Sequence, residues 1–383
     1  MVSGAILNPA TPENQYGPRS EVHDRNTTLP LLFVYNPSMK VALIFGGRSG
    51  EHDVSIVSAR SVATALRNGG HEILPMAIDR QGLWANDIES RRVLEGSGDR
   101  PDQALTFTGE YRIDPRLLDN SCDVVFPSLH GPFGEDGTIQ GLFEMLDLPY
   151  VGSGVAASAL CMDKVRTKRI FENDRLPTAP WVTVTSHAWR ADPEALRRRA
   201  LDLGLPLFVK PSRMGSSVGI TKVIDTESLD AAVETALRYD TTVLIEQGIE
   251  AREIEVAVLG TTEPRASVPG EIVPGDVFYS FEDKYLDARC QLIAPAPLDT
   301  DTTERVQRLA VEVFRLLGCE GMARVDLFLE KSTGKIWVNE VNTIPGFTSI
   351  SMFPRLWSLS GLDSPGLLDE LLRLAIERHN NPR

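Results

Sequence analysis

Two predicted strands near the C-terminus carry acidic and amide side chains that could hold a divalent cation. The first strand contains Arg324 and Asp326, and the second contains Glu340 and Asn342. Side chains alternate between the two faces of a strand, so the members of each pair share a face. Carboxylate and amide oxygens suit Mg²⁺, and nucleotide phosphates commonly supply its remaining ligands. The four residues therefore predict a metal and phosphate site, with a surface hairpin of scattered charges as the alternative.

The loop between these strands decides which residues face one another. A three-residue loop closed by Lys331 and Lys335 is expected, with Gly334 in the left-handed conformation. This register places Asp326 opposite Glu340 and Arg324 opposite Asn342. Opposed carboxylates lie about 4.5–5.5 Å apart at Cβ and repel one another. A cation between them would offset that repulsion.

A glycine- and serine-rich loop at 212–219 is a second candidate site. Its serines, among them Ser216 and Ser217, could donate hydrogen bonds to phosphate oxygens, and its glycines permit close backbone approach. Lys210, at the end of the preceding strand, could neutralise phosphate charge. A flexible surface turn is the alternative. The chain has no G-x-x-x-x-G-K-[ST] motif and no G-x-G-x-x-G spacing, which excludes the two commonest nucleotide-binding loops.

The strand at 243–249 ends in polar residues beside apolar ones and could form a base-binding edge. Glu246, Gln247 and Ile249 lie along it, and Glu253 follows as a possible acceptor of ribose hydrogen bonds. A plain strand end is the alternative interpretation of this segment.

Strands and helices alternate in the N-terminal third, which predicts a parallel sheet with ligands beyond the carboxyl ends of its strands. The loops 46–53 and 129–137 follow two of these strands and carry glycines and charged residues. The predicted strands are 40–45, 72–78 and 122–127, with a helix at 54–67.

The rest of the chain has an α+β pattern with antiparallel hairpins, so the fold class is α/β combined with α+β. Strands are predicted at 181–184, 207–210, 218–223, 243–246 and 253–259, and within the hairpin 322–341. Helices are predicted at 163–173, 229–239, 303–317 and 367–378.

Length and composition narrow the class of protein. A chain of 383 residues predicts two or three domains. Its formal net charge of −14 argues against a nucleic-acid partner, although lysines gathered in a cleft can still bind a polyanion. No apolar run reaches roughly eighteen residues, so no membrane-spanning helix is predicted. Four cysteines without a C-x-x-C pair are interpreted as ordinary thiols of a cytoplasmic protein.

Residues 1–38 are rich in Pro, Asn, Thr and Ser and are predicted to be a disordered extension. The folded protein is expected to begin at Met39.

Six segments together resemble D-alanine–D-alanine ligases of the ATP-grasp class. They are 41–58 (VALIFGGRSGEHDVSIVS), 129–141 (LHGPFGEDGTIQG), 149–164 (PYVGSGVAASALCMDK), 209–219 (VKPSRMGSSVG), 284–286 (KYL) and 340–351 (EVNTIPGFTSIS). They occur in the family's order and span nearly all of the chain after the extension. The resemblance implies ATP-dependent joining of two D-alanine molecules through a D-alanyl phosphate, for peptidoglycan precursor synthesis.

The same resemblance implies a three-domain ATP-grasp architecture. The domains are expected at 39–160, 161–255 and 256–383, with the metal site and a mobile loop, 275–289, in the last. ATP is the expected co-substrate, together with two Mg²⁺ or Mn²⁺ ions. A homodimer is expected, without nucleic-acid or membrane partners.

The resemblance also implies a role for each site residue. The nucleotide-binding residues are expected to be Lys164, Lys210, Ser217, Glu246, Gln247, Ile249, Glu253 and Lys284, and the metal ligands Asp326, Glu340 and Asn342. Glu51 and His130 are expected to bind the first D-alanine, Arg324 and the Gly346 N–H to stabilise the oxyanion, and Ser351 to bind the second substrate's carboxylate. On the mobile loop, Tyr285 is expected to link through Ser216 to Glu51.

Two positions depart from the family pattern. Met214 stands where many relatives have glutamate, and Gln247 where lysine is frequent. Two other functions remain open. One is a related ligase that forms D-alanyl-D-lactate, D-alanyl-D-serine or another dipeptide, and the other is a non-catalytic nucleotide-binding regulator.

Overall fold

A computed structural model describes residues 38–96, 118, 121–273 and 291–381. The predicted extension, apart from Ser38, lies outside the described residues, as does the predicted mobile loop with Lys284 and Tyr285. Within these ranges no helix is both long and apolar enough to span a membrane.

The N-terminal sheet is parallel, as the alternation of strands and helices predicted. It contains β1 (Lys40–Gly46), β2 (Glu72–Ile78) and β3 (Val124–Ser128) in the order β2-β1-β3. Helices α1 (His52–Asn68) and α2 (Asp87–Glu95) follow the first two strands. The continuous apolar run of β1 is buried, which is typical of a parallel strand covered on both faces.

Three helices lead from this sheet into the rest of the molecule. They are α3 (Thr138–Met145), α4 (Val155–Met162) and α5 (Lys164–Asn173). Apolar residues of α4 and α5 pack in the core of the C-terminal sheet. Cys161 on α4 thereby comes within 3.7 Å of Cys319, sulfur to sulfur, and both are free thiols.

The central sheet is antiparallel, with the strand order β4-β7-β5-β6. Its strands are β4 (Trp181–Thr185), β5 (Leu207–Pro211), β6 (Thr221–Val223) and β7 (Thr242–Gln247), and its helices are α6 (Ser186–Ala191), α7 (Pro193–Leu201) and α8 (Leu229–Leu237). The predicted start of β6 at Val218 is wrong. Ser216, Ser217 and Gly219 have positive φ angles of 47°, 59° and 73°, which turn the chain before the strand begins.

The C-terminal sheet has the order β11-β10-β8-β12-β13, with β9 paired to β8. Its strands are β8 (Ala251–Gly260), β9 (Arg265–Ala266), β10 (Gly270–Val273), β11 (Gln291–Ile293), β12 (Gly321–Glu330) and β13 (Ile336–Asn342), and α9 (Thr300–Leu316) packs in its core. The domain boundaries expected after residues 160 and 255 fall within α4 and β8. We therefore propose a three-domain division with the second boundary before Ala251.

The loop of the β12–β13 hairpin differs from the predicted one. Glu330, rather than Lys331, closes it together with Lys335, because the Glu330 N–H donates to the Lys335 carbonyl at 2.9 Å. Residues 331–334 therefore form a four-residue loop. Gly334 has the predicted positive φ, at 68°.

A β-bulge in the same hairpin restores the predicted pairing. The register shifts beside Asp326, where Asn339 is an extra residue on β13 without a counterpart on β12. As a result Asp326 still lies opposite Glu340, and Arg324 opposite Asn342. The predicted facing pairs are confirmed, although the loop that was expected to produce them is not.

Two further helices join the C-terminal part of the chain to the N-terminal sheet. Apolar residues of α10 (Met352–Leu359) and α11 (Ser364–Asn380) share one core with β1, β3 and α1. Arg378 on α11 donates to the carbonyls of Tyr150, at 3.0 Å, and Gly152, and its guanidinium lies 3.9 Å from the centre of the Tyr150 ring.

Candidate active site

Two adjoining cavities lie where the loops of the N-terminal sheet meet the central and C-terminal sheets. The larger cavity is lined by the predicted metal ligand Asp326 and by most of the predicted nucleotide-binding residues: Lys164, Lys210, Ser217, Glu246, Gln247, Ile249 and Glu253. The smaller cavity is lined by Glu51, His130, Arg324, Asn342 and Gly346. Four residues line both cavities: Lys164, Gly215, Ser216 and Glu340. The structure therefore brings together residues as far apart in sequence as Glu51 and Gly346.

Ser351 lines neither of these two cavities but lies directly beside the smaller one. A Cβ atom built on Gly346 would come within 2.9 Å of its hydroxyl oxygen. That hydroxyl also accepts a hydrogen bond from the Thr348 N–H at 2.9 Å. Its position at the start of α10 leaves it close to the predicted oxyanion group.

A buried ion triad forms one wall of the larger cavity. The Glu246 carboxylate on β7 pairs with Lys210 on β5 and, at 2.9 Å, with Lys168 on α5. Burial alone would raise the pKa of Glu246, but the two lysines outweigh it and lower the pKa to about 2. Burial lowers the pKa of Lys168, whereas Glu246 outweighs burial at Lys210 and raises its pKa. The side chain of Glu246, which was predicted to contact adenine or ribose, is thus engaged by both lysines.

Lys164 stands where the two cavities meet. Its ammonium group donates to the Met214 carbonyl at 2.8 Å and lies 3.5 Å from the Glu340 carboxylate. Because the contact uses the backbone of residue 214, methionine at this position preserves it. These contacts hold the positively charged ammonium group of Lys164 at the shared wall of the cavities.

Arg324 is fixed by carboxylates on two strands. It forms a bidentate ion pair with Asp326, with both nitrogen–oxygen distances 2.7 Å, and its Nε lies 3.2 Å from Glu255 on β8. Burial would lower the pKa of Arg324, but Asp326 and Glu255 outweigh burial and raise the pKa well above its usual value. The guanidinium is therefore a permanent, rigidly held positive charge.

The predicted metal ligands are of the right kind for a hard cation. Asp326 and Glu340 face one another, and the Asn342 amide donates to Asp326 at 3.0 Å. Among the described residues, no group of three or more acidic, histidine or cysteine side chains is arranged to hold an ion. Two carboxylates and an amide oxygen nevertheless fit Mg²⁺, which proteins usually bind through one or two carboxylates together with substrate phosphates.

Glu51 forms the polar centre of the smaller cavity at the N-terminus of α1. Ser216 donates a hydrogen bond to its carboxylate, which is the Glu51 part of the predicted link, whereas Tyr285 lies outside the described residues. The backbone at Gly131 and at Gly215 approaches the Glu51 carboxylate closely. A Cβ built on Gly131 or Gly215 would lie 2.7 or 2.9 Å from the Glu51 Oε2 atom, so a side chain at either position would displace the carboxylate, and the positive φ of Gly131 also favours glycine there.

His130 joins two loops beneath the smaller cavity. Its ring nitrogens lie 3.1 Å from the Ile344 carbonyl and 3.1 Å from the Ser58 hydroxyl. Burial lowers the pKa of His130, which favours a neutral ring at neutral pH. The residue therefore holds the loop that carries Gly346, and its side chain reaches the cavity without a net charge.

Three residues with clear roles at the site were missed by the sequence analysis. Glu135 accepts hydrogen bonds from the N–H groups of Gly131, at 2.7 Å, and Ile344, at 3.4 Å. Removal from water and the neighbouring Glu51 raise the pKa of Glu135 to about 8. Lys168 and Glu255 were missed as well.

Each missed residue left a weak signal in the sequence. Glu135 lies within the glycine-rich loop after β3, Lys168 lies one helical turn after Lys164, and Glu255 shares a strand face with Glu253. These spacings indicate which side chains share a surface, but they do not identify the partner across the fold.

Comparisons with known proteins find one family in both halves of the chain. The family models "D-ala D-ala ligase N-terminus" and "D-ala D-ala ligase C-terminus" match residues 40–153 and 170–373. A protein named D-alanine–D-alanine ligase from Thermoanaerobacter sp. (strain X514) is 48% identical over 356 residues, covering 89% of this chain and 97% of the relative.

Solved structures show the same likeness. A D-alanine–D-alanine ligase from Coxiella burnetii has a TM-score of 0.75 and 37% identity, covering 89% of this chain and 95% of that one. The VanG D-Ala:D-Ser ligase from Enterococcus faecalis has a TM-score of 0.76 and 36% identity, covering 88% and 99%. With family models that span most of its length and relatives of this similarity, the chain belongs to the D-ala D-ala ligase family.

Proposed function

We propose that the protein joins two D-alanine molecules into D-alanyl-D-alanine and converts ATP to ADP and phosphate. The observation that carries this proposal is the shared wall of the two cavities. Lys164 and Glu340 line both, so a phosphoryl group bound in the larger cavity can reach a carboxylate bound in the smaller one. The names of the relatives support D-alanine as the substrate.

The first step activates an otherwise unreactive carboxylate. An oxygen of the first D-alanine carboxylate attacks the γ-phosphorus of ATP, the bond to the β-phosphate oxygen breaks, and D-alanyl phosphate and ADP form. Lys164 and Lys210 stabilise the negative charge on the phosphates. Glu51, held by Ser216, accepts hydrogen bonds from the substrate's ammonium group. The proposed roles of Lys284 and Tyr285 fall on residues outside the described part of the chain.

The second step forms the peptide bond. The neutral amine of the second D-alanine attacks the acyl carbon, a tetrahedral oxyanion develops, and its collapse breaks the carbon–oxygen bond to phosphate, which leaves with the proton that the amine loses. Arg324 and the N–H of Gly346 line the smaller cavity and supply the positive charge and the donor that stabilise this oxyanion. Ser351, beside Gly346, binds the second substrate's carboxylate.

Asp326, Glu340 and Asn342 would hold the metal, in keeping with their oxygen donors and their position beside Lys164. A divalent cation bound there, Mg²⁺ or Mn²⁺, would neutralise charge on the β- and γ-phosphates during transfer. We further propose that the enzyme works as a cytoplasmic homodimer that supplies peptidoglycan precursors.

The proposal is tested by phosphate release from ATP with D-alanine, and with L-alanine, D-serine or D-lactate in its place. Mass spectrometry of the products should find D-alanyl-D-alanine as the main one. Phosphate release without a dipeptide, or a preference for D-serine or D-lactate as the second substrate, would contradict the proposal.

Glu340→Gln should lower the ligation rate by about 100-fold or more, because it removes a charged ligand from the phosphate site. Its melting temperature should stay within a few degrees of the wild-type value. The matched control is Glu330→Gln, at the loop end of the same hairpin, which should keep full activity. Equal activity of the two variants would refute the metal assignment.

A further inference from the structure

Lys168 is a buried lysine at this site that the proposed reaction does not use. Its side chain is 3% exposed, and it lies behind the wall of the larger cavity rather than in its lining. Its ammonium group lies 2.9 Å from the Glu246 carboxylate and donates to the Thr178 hydroxyl at 2.6 Å. A buried lysine costs considerable desolvation energy, so its presence there calls for a physical role.

The charges of the triad suggest that role. Lys168 and Lys210 contribute two positive charges and Glu246 one negative charge, so the triad has a net charge of +1. Of the two lysines, only Lys210 lines the cavity. Without Lys168, Glu246 would neutralise Lys210 on its own, and this pair would present no net charge to a nucleotide. The desolvated surroundings strengthen such an effect relative to water.

The position of Lys168 is fixed from two sides. Thr178, which accepts its hydrogen bond, forms a bridge with Val338 on β13, close to the bulge beside Glu340. Glu246 lies on β7 of the central sheet. Lys168 therefore connects the central sheet to the hairpin that carries the proposed metal ligands, and it holds the Glu246 carboxylate at a defined place.

We propose that Lys168 is a positioning residue that offsets the charge of Glu246, so that the charge of Lys210 remains available to the phosphates of ATP. This inference rests on the proposed function, because it takes ATP as the ligand of the larger cavity. Lys168 itself touches neither the nucleotide nor the amino acid. It acts through Glu246 and Lys210.

The test measures binding of ATP and of adenosine to the full-length protein in the presence of Mg²⁺, by calorimetry. Lys168→Met should weaken ATP binding by about tenfold more than adenosine binding, because the lost charge acts on the phosphates. In the ligation assay, the KM for ATP should rise while the KM for D-alanine stays unchanged. Lys168→Arg should recover most of the ATP affinity.

Two comparisons make the test specific. Lys331→Met removes an equal charge from the exposed hairpin loop and should bind ATP like the wild type. In a Glu246→Gln background Lys210 keeps its full charge whether or not Lys168 is present, so adding Lys168→Met should cost much less ATP affinity than it does in the wild-type background. If Lys168→Met alone fails to fold, the variants in the Glu246→Gln background and Lys168→Arg still test the inference.

Three results would overturn the inference: unchanged ATP affinity in Lys168→Met, an equal loss for adenosine and ATP, or the same additional loss in the Glu246→Gln background. If any of these results is obtained while the wild-type protein binds ATP and ligates D-alanine, the inference about Lys168 fails and the proposed function stands. If the wild-type protein binds no ATP, both the proposed function and the inference about Lys168 are wrong.

Discussion

Glu135 is a carboxyl group whose protonation should affect the stability of the fold. Its pKa lies at about 8 in the folded protein, against 4.5 for an ordinary glutamate. Between these values the folded protein binds more protons than the unfolded chain, so its stability falls as the pH rises. The raised pKa therefore favours folding at mildly acidic pH and opposes it towards pH 8.

Glu135→Gln removes this titration and keeps an acceptor for the Gly131 N–H. The melting temperature of the wild type should fall on going from pH 5 to pH 8, and that of the variant should fall less. Glu304→Gln, which removes an exposed carboxylate on α9, is the control and should follow the wild type. Parallel melting curves for all three proteins would contradict the raised pKa.

At the scale of single elements, the loop after β3 is adapted to the Glu51 carboxylate. Gly131 has φ +72°, and an added Cβ would lie 2.7 Å from Glu51 Oε2. Gly131→Ala should therefore displace Glu51 and raise the KM for the first D-alanine by about tenfold or more, as a displaced ion-pair partner costs at least ~1.4 kcal/mol. Steady-state kinetics with varied D-alanine would measure this.

The control for that variant is Gly141→Ala on α3, where an added Cβ meets no atom within 4 Å. Alanine has the higher helix propensity, so this change should leave the kinetics unchanged and stabilise the protein slightly. A KM that rises equally in both variants would show that the contact with Glu51 is unimportant.

The elements of this fold were predictable where a local pattern defines them. The apolar run of β1 and the period-two pattern of β12 follow directly from the sequence. The bulge at Asn339 was not predictable, because it depends on how β13 pairs along its length. Helix α10 was also not predicted, since its eight residues form too short a periodic segment.

The site residues were predictable to the extent that they lie in characteristic segments. Glu51, Lys210 and Glu340 belong to segments that resemble the ligase family, and the structure gathers them at one place. Lys168 and Glu246, for example, form an ion pair although they lie 78 positions apart in sequence. No local pattern encodes such a pairing, because only the folded chain brings the two residues together.

At the scale of the whole molecule, Arg378 connects α11 to the segment 150–152, in which Tyr150 forms a bridge with Val125 of β3. Its buried guanidinium donates to the carbonyls of Tyr150 and Gly152. Arg378→Met should lower the free energy of unfolding by about 2–4 kcal/mol, because two buried carbonyls lose a charged donor. Urea denaturation would measure the change.

Arg373→Met is the matched control on the same helix. Arg373 pairs with Glu370 and Glu377 at the surface, where its side chain is 45% exposed. Surface ion pairs contribute little, so this variant should lose less than about 1 kcal/mol. If both variants lose the same stability, the connection made by Arg378 is no stronger than a surface contact.

The core that α11 shares with the N-terminal sheet also bears on how the protein is made. β3 ends at Ser128 and α11 begins at Ser364, 236 residues later. At translation rates of 5–20 residues per second, the ribosome needs on the order of 10–50 s to cover that distance. Throughout this interval the emerging chain has an uncovered apolar surface on the side that α11 later occupies. Nascent polypeptides of this protein should therefore depend on chaperones that shield such surfaces until synthesis passes Asn380.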